Sequence, residues 1–148
     1  MAIATQLNTV GFDGTYVYGT GSLGFSQRNA TTLANINTVN AAGFTNSIGY
    51  MPFDGTYMYA PSTYGIAKIE VSTMTVVAVY PDVSGEQVSV ITYDGTYLYI
   101  NLYNTTSSSY TYLLQINPAT MRLVQSLQLT NVLNVLAPSL KNAVSPIL

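Results

Sequence analysis

The chain has 148 residues, the length of one ordinary domain, with Lys+Arg 4 against Asp+Glu 6, a formal net charge of -2, and charged residues at 7%, where soluble domains carry about 25%. His, Cys and Trp are all missing, so disulfides, thiolate or imidazole metal sites, His or Cys catalysis and haem ligation by those residues lack their atoms, and four scattered cations cannot track a phosphate backbone. The polar surface must be made from 19 Thr, 13 Ser, 12 Asn and 13 Tyr, a neutral surface with little colloidal repulsion that suits packing against copies of the same chain.

In chain order, Met1 to Gln6 offers neither the basic nor the apolar run of a signal peptide. Gly11-Phe12-Asp13-Gly14-Thr15-Tyr16-Val17-Tyr18 follows, and its pattern returns as Pro52-Phe53-Asp54-Gly55-Thr56-Tyr57-Met58-Tyr59 and Thr92-Tyr93-Asp94-Gly95-Thr96-Tyr97-Leu98-Tyr99. The aspartates are separated by 41 and then 40 residues, a period that marks a repeat architecture. Thr32-Leu33, Thr73-Met74 and Thr120-Met121 trail their aspartates by 19, 19 and 26 positions, so the third copy holds an insertion. It falls around Tyr103 to Tyr110, where the polar composition predicts a surface loop.

The first unit, about residues 5–40, continues through predicted strands at Leu23 to Arg28 and Leu33 to Val39, more polar than their counterparts, as in a terminal repeat. The second unit, about 47–81, reads as strands at Ser47 to Phe53, Thr56 to Ala60, Gly65 to Glu70 and Met74 to Tyr80. In the third, about 87–130, the strands are Gln87 to Tyr93, Thr96 to Tyr103, Tyr110 to Ile116 and Met121 to Leu129, with a turn at Asn117-Pro118-Ala119-Thr120. Residues 131–148 form a C-terminal arm with apolar residues at helical spacing, which fits a short helix or an extended arm on a neighbouring subunit. Pro138 and Pro146 limit any helix there. No run reaches the roughly 20 apolar residues of a membrane span.

The expected fold class is therefore all-β: three four-stranded antiparallel blade-like repeats within residues 1–130, then the arm. At Asp94-Gly95-Thr96-Tyr97-Leu98-Tyr99-Ile100, Leu113-Leu114-Gln115-Ile116-Asn117-Pro118-Ala119-Thr120 and Leu123-Val124-Gln125-Ser126-Leu127 the chain resembles the YVTN and quinoprotein-like β-propellers. The resemblance covers roughly residues 5 to 130. It implies blade architecture and no particular activity, because propellers host many unrelated functions. Three blades depart from the usual four to eight, so something else must close or cap the array.

Asp13, Asp54 and Asp94 are half of the chain's acids. One at the same turn of each unit points to structure: Asp13-Gly14, Asp54-Gly55 and Asp94-Gly95 are predicted as hairpin turns, with Asp tolerating positive φ. No second acid lies at calcium-loop spacing, and Asp82 and Glu86 around Gly85 read as a solvated turn, so no metal, cofactor or catalytic residue is expected. Tyr16/Tyr18, Tyr57/Tyr59 and Tyr97/Tyr99, two apart, each project from one strand face and are expected to pack between blades. Tyr103, Asn104, Tyr110 and Tyr112 gather around the insertion and are the candidate ligand or partner contact, since Tyr, Ser and Asn make adaptable surfaces. Asn29-Ala30-Thr31 and Asn104-Thr105-Thr106 match the glycosylation triplet, and Gly19 to Gly24 matches G-x-G-x-x-G but leads into a strand, so no dinucleotide site is expected.

The sequence thus favours a non-enzymatic structural or interaction protein, a homo-oligomeric subunit of a virion or extracellular assembly whose partners are itself and other structural proteins. Its composition and size resemble structural proteins of viruses infecting hyperthermophilic archaea. The alternative is a glycan-binding adhesin or lectin-type module.

Overall fold

The computed structural model describes residues 7–21, 24–39, 43–44, 49–62, 65–81, 86–104 and 106–129. The C-terminal arm, and Asp82, lie outside the described residues. Period-two alternation between tight turns yields strands and, among the described residues, no helix. The first sheet contains β1 (Leu7–Phe12), β2 (Tyr16–Gly21), β3 (Gly24–Asn29), β4 (Asn35–Val39) and the two-residue β5 (Gly49–Tyr50), in the order β4-β3-β2-β1-β5. The second contains β6 (Tyr57–Ser62), β7 (Gly65–Glu70) and β8 (Thr75–Pro81) in sequence order. The third is β12-β11-β10-β9, from β9 (Glu86–Tyr93), β10 (Leu98–Asn104), β11 (Ser109–Asn117) and β12 (Arg122–Gln128). Neighbouring strands are antiparallel, except that β5 runs parallel to β1.

Two elements differ from the sequence reading. Ser47 to Phe53 is expected to be the first strand of the second unit; Ser47 and Ile48 lie outside the described residues, and residues 49–53 change partner along their length. Gly49 and Tyr50 pair with Thr9 and Val10 of the first sheet, and the Met51 N–H donates to the Val10 carbonyl at 3.4 Å. Beyond it, the Tyr59 N–H donates to the Pro52 carbonyl at 3.0 Å, and Phe53 bridges to Met58 of the second sheet. Pro52 has no N–H to return that bond, so a continuous ladder on β6 is interrupted. Gly11 lets the crossing chain come close: a Cβ there would sit 2.7 Å from the Met51 carbonyl oxygen and 2.9 Å from Met58 Sδ.

The insertion of the third unit, expected to be a loop, instead lengthens a hairpin. β10 and β11 run on to Asn104 and Ser109, paired through Tyr103↔Tyr110 and Asn104↔Ser109. A bulge at Leu102/Tyr103 accompanies the extension.

Alternation gives each sheet two faces, here termed leading (towards the preceding sheet) and trailing (towards the following one). The trailing face of the first sheet places Tyr18 and Phe25, ring centroids 5.5 Å apart, against Met51 of the crossing segment and against Met58, Ala67 and Ile69 of the second sheet's leading face. On the trailing face of the second sheet, Tyr59 and Ile66 pack against Ile91, Leu98, Ile100 and Leu114 of the third. All of these side chains are buried. Each large one removed from water contributes about 1.5–3 kcal/mol, so the two seams hold the stack together.

The repeated turn and the third-unit hairpin as candidate sites

The three Asp-Gly-Thr-Tyr segments fold alike. The Thr15 and Tyr16 N–H groups donate to Asp13 Oδ1, both at 2.7 Å, and the Tyr18 hydroxyl donates to Oδ2 at 2.7 Å. Asp54 accepts from the Thr56 N–H (2.9 Å), the Tyr57 N–H (2.7 Å) and the Tyr59 hydroxyl (2.6 Å). Asp94 accepts from the Thr96 and Tyr97 N–H groups (both 2.8 Å) and the Tyr99 hydroxyl (3.0 Å). The positive φ falls on Gly14 (99°), Gly55 (102°) and Gly95 (97°), and not on the aspartates. Gly-Thr is therefore the central pair and Asp the residue before it, its carboxylate replacing the backbone carbonyl that normally closes such a turn.

Occupied acceptors set the electrostatics. Burial alone would raise Asp13, but the hydrogen bonds from Tyr16, Tyr18 and Thr15 outweigh it and hold the carboxyl below its ordinary range. The Tyr97 and Thr96 N–H groups hold Asp94 low as well. Burial, then the bonds to Asp13 and Asp54, push the Tyr18 and Tyr59 hydroxyls far above their ordinary value. For Tyr99 the bond to Asp94 comes first and burial second. Asp13 and Asp94, each accepting three hydrogen bonds and held ionised, have no proton to exchange near neutral pH. Among the described residues no three His, Cys, Asp or Glu converge as metal ligands.

Other repeat features escaped the sequence reading. Gln27 Nε2 donates to the Tyr18 hydroxyl at 3.0 Å, and Gln115 Nε2 to that of Tyr99 at 3.1 Å. The equivalent residue of the second unit is Lys68, across from Tyr59 on β6. Lys68 is buried; its Nζ lies 4.0 Å from the Tyr57 ring centroid and donates to the Pro118 carbonyl of the third unit at 2.8 Å. The second turn of each unit also repeats, for Leu33, Met74 and Met121 adopt φ of 59°, 54° and 51°. Asn29 and Asn117 cap it by accepting from N–H groups two and three residues on, and Glu70 takes that place in the second unit by accepting from the Thr73 hydroxyl. The signal was visible as the recurrent Thr32-Leu33, Thr73-Met74 and Thr120-Met121, but apolar residues rarely mark a left-handed position.

The sequence-predicted contact patch is only partly assembled. Asn104 Oδ1 caps its own turn by accepting from the Thr106 and Ser107 N–H groups, both at 2.9 Å, and its Nδ2 donates to Glu86 at 3.4 Å. Glu86 also accepts from the Thr111 hydroxyl. Tyr112 packs on the second seam, and Tyr103 is half-buried on β10. Tyr110 lies on β11 opposite Tyr103.

No protein-family model and no curated protein sequence matches the chain. Solved structures do. Hydrazine synthase of Kuenenia stuttgartiensis is similar at a TM-score of 0.67 and 18% identity, over 87% of this chain and 39% of that one. The extracellular domain of a putative one-component system of B. thetaiotaomicron is similar at a TM-score of 0.61 and 16% identity, over 84% of this chain and 17% of that one. The chain thus spans well under half the length of either, and the likeness concerns the fold alone.

Proposed function

We propose that the chain is a non-catalytic, self-assembling structural subunit, its three sheets being consecutive propeller-like blades, displayed in an extracellular or virion assembly. The observation that carries this reading is the number of large apolar side chains left in water on a nearly uncharged chain. Val10, Phe12, Val77, Val124 and Leu127 are exposed while every Asp of the repeat is locked into a turn. Burying such side chains against other protein would remove apolar area from water, and so few charges would do little to oppose it. Glycan recognition by the third-unit hairpin has less support, because Asn104 and Tyr112 are committed to the turn and the seam. Multi-angle light scattering of the purified chain tests the proposal, which requires a defined mass of two or more copies. A glycan array in parallel should be blank; a specific hit there that depends on Tyr103 would favour the adhesin reading.

A further inference from the structure

Both internal seams join a trailing face to a leading face, and the chain carries one unused half of each kind. Strand register fixes the equivalences. Phe25 pairs with Val39 and Ile66 with Tyr80, as Leu113 pairs with Leu127. The first two pairs pack into seams, whereas Leu113 is 37% and Leu127 57% exposed. Tyr99, equivalent to the fully buried Tyr18 and Tyr59, is only half-buried on that same trailing face of the third sheet. At the other end, Val10 occupies the position of Met51 and Ile91, and Leu33 that of Met74 and Met121. Those four are at most 7% exposed, but Val10 is 48% and Leu33 58% exposed.

We infer that the trailing face of the third sheet binds the leading face of the first sheet of a second copy of this chain, forming a third seam between subunits. This rests on the self-assembly reading above and gives it a polarity. The occupant follows from the repeat. The third sheet keeps the Asp94–Tyr99–Gln115 chain of hydrogen bonds, which the first sheet, as Asp13–Tyr18–Gln27, presents to a following leading face. The one leading face in the described residues without a sheet against it belongs to the first sheet. A head-to-tail contact of this kind is heterologous, so it must close into a ring or propagate.

Two variants of the full chain test it. Leu113→Thr/Leu127→Lys blocks the trailing face, and Val10→Lys/Leu33→Asn blocks the leading face; Asn is tolerated at the left-handed φ of residue 33. Each alone should sediment as one chain, with the wild-type strand signal by circular dichroism. Mixed one to one, they should recover a pair, because each retains the half that the other lost; misfolded chains would not. If wild type is a single chain, the self-assembly reading falls too. If wild type assembles but either variant keeps its assembly, or the mixture stays monomeric, the head-to-tail seam alone is overturned.

Discussion

Asp54 and Asp94 hold the same turn with the same three bonds, yet replacing each by Asn should have unequal effects. In Asp54→Asn the amide oxygen still accepts from the Thr56 and Tyr57 N–H groups, while Nδ2 now faces the Tyr59 hydroxyl that had donated to Oδ2 at 2.6 Å. Tyr59 is fully buried, so its proton finds no water in place of the carboxylate. Hydrogen bonds to charged groups contribute about 1.5–3 kcal/mol, and a buried donor left unmade costs a similar amount, so the expected loss is about 2 kcal/mol. At m-values of about 1–3 kcal/mol/M for urea, that lowers the midpoint by about 1 M. Asp94→Asn leaves Tyr99 beside solvent with Gln115 still donating to it, and should cost clearly less. Urea unfolding by tyrosine fluorescence, in the Val10→Lys/Leu33→Asn background that keeps the chain single, compares the two directly. Equal losses would refute the argument that burial of the tyrosine, and not the turn, sets the cost. If wild type forms the proposed head-to-tail seam, which would cover Tyr99, the two losses should converge there.

Gly11→Ala should destabilise by about 1–3 kcal/mol through overpacking against the Met51 carbonyl, and adding Met58→Ala should not restore the loss, because the obstacle is backbone; thermal melts decide it. Alkali should unfold the chain. Tyr18 and Tyr59 ionise at higher pH folded than unfolded, so their contribution is complete below about pH 10 and disappears above it. Tyr18→Phe/Tyr59→Phe should flatten that limb of a stability–pH curve. Acid acts with the opposite sign on Asp13, whose folded pKa is depressed, so stability should fall as pH drops below about 4; Asp13→Asn should reduce that slope. Lys68→Gln, which restores the Gln of the other units, should be tolerated within about 1 kcal/mol, whereas Lys68→Glu places an unpaired anion beside the Pro118 carbonyl and should not fold stably.

The repeat was legible because each unit solves the same turn problem with the same residues. Asp-Gly-Thr-Tyr located the first hairpin of every unit, and β7 falls at the predicted Gly65 to Glu70. Less visible were contacts made between units. Nothing local to the segment says that Gly49 and Tyr50 prefer β1 to β6; that depends on Gly11, some forty residues earlier, leaving room for Met51. The third-unit insertion misled for a different reason: Asn104 supplies a tight turn to a run of hydroxyl residues whose composition is that of a loop, and pairing then extends through it. At the tyrosines, spacing placed each pair on one strand face, but which member of the repeat is buried depends on its position in the stack.

That positional difference bears on how the ends of the stack are made. The internal leading faces carry Ala60 and Ile100, Ala67 and Leu114, Ile69 and Ile116, all buried. Their equivalents on the first sheet are Gly19, Ser26 and Arg28: smaller or more polar, with Ser26 donating to the Gly19 carbonyl at 3.2 Å and Arg28 to that of Leu33 at 3.2 Å. A face that met its partner only after the chain had folded, as the proposed seam requires, would first have to survive in water, and a full apolar set would favour indiscriminate association. Val10 and Leu33 stay exposed at the margins of this face, while its centre is closed within the chain: Ser26 is buried and the Leu7 side chain lies 2.8 Å from where a Gly19 Cβ would stand. The internal seams never face that conflict, since their two halves are delivered by one chain, and their leading faces can carry an apolar set where the first sheet has Gly19, Ser26 and Arg28.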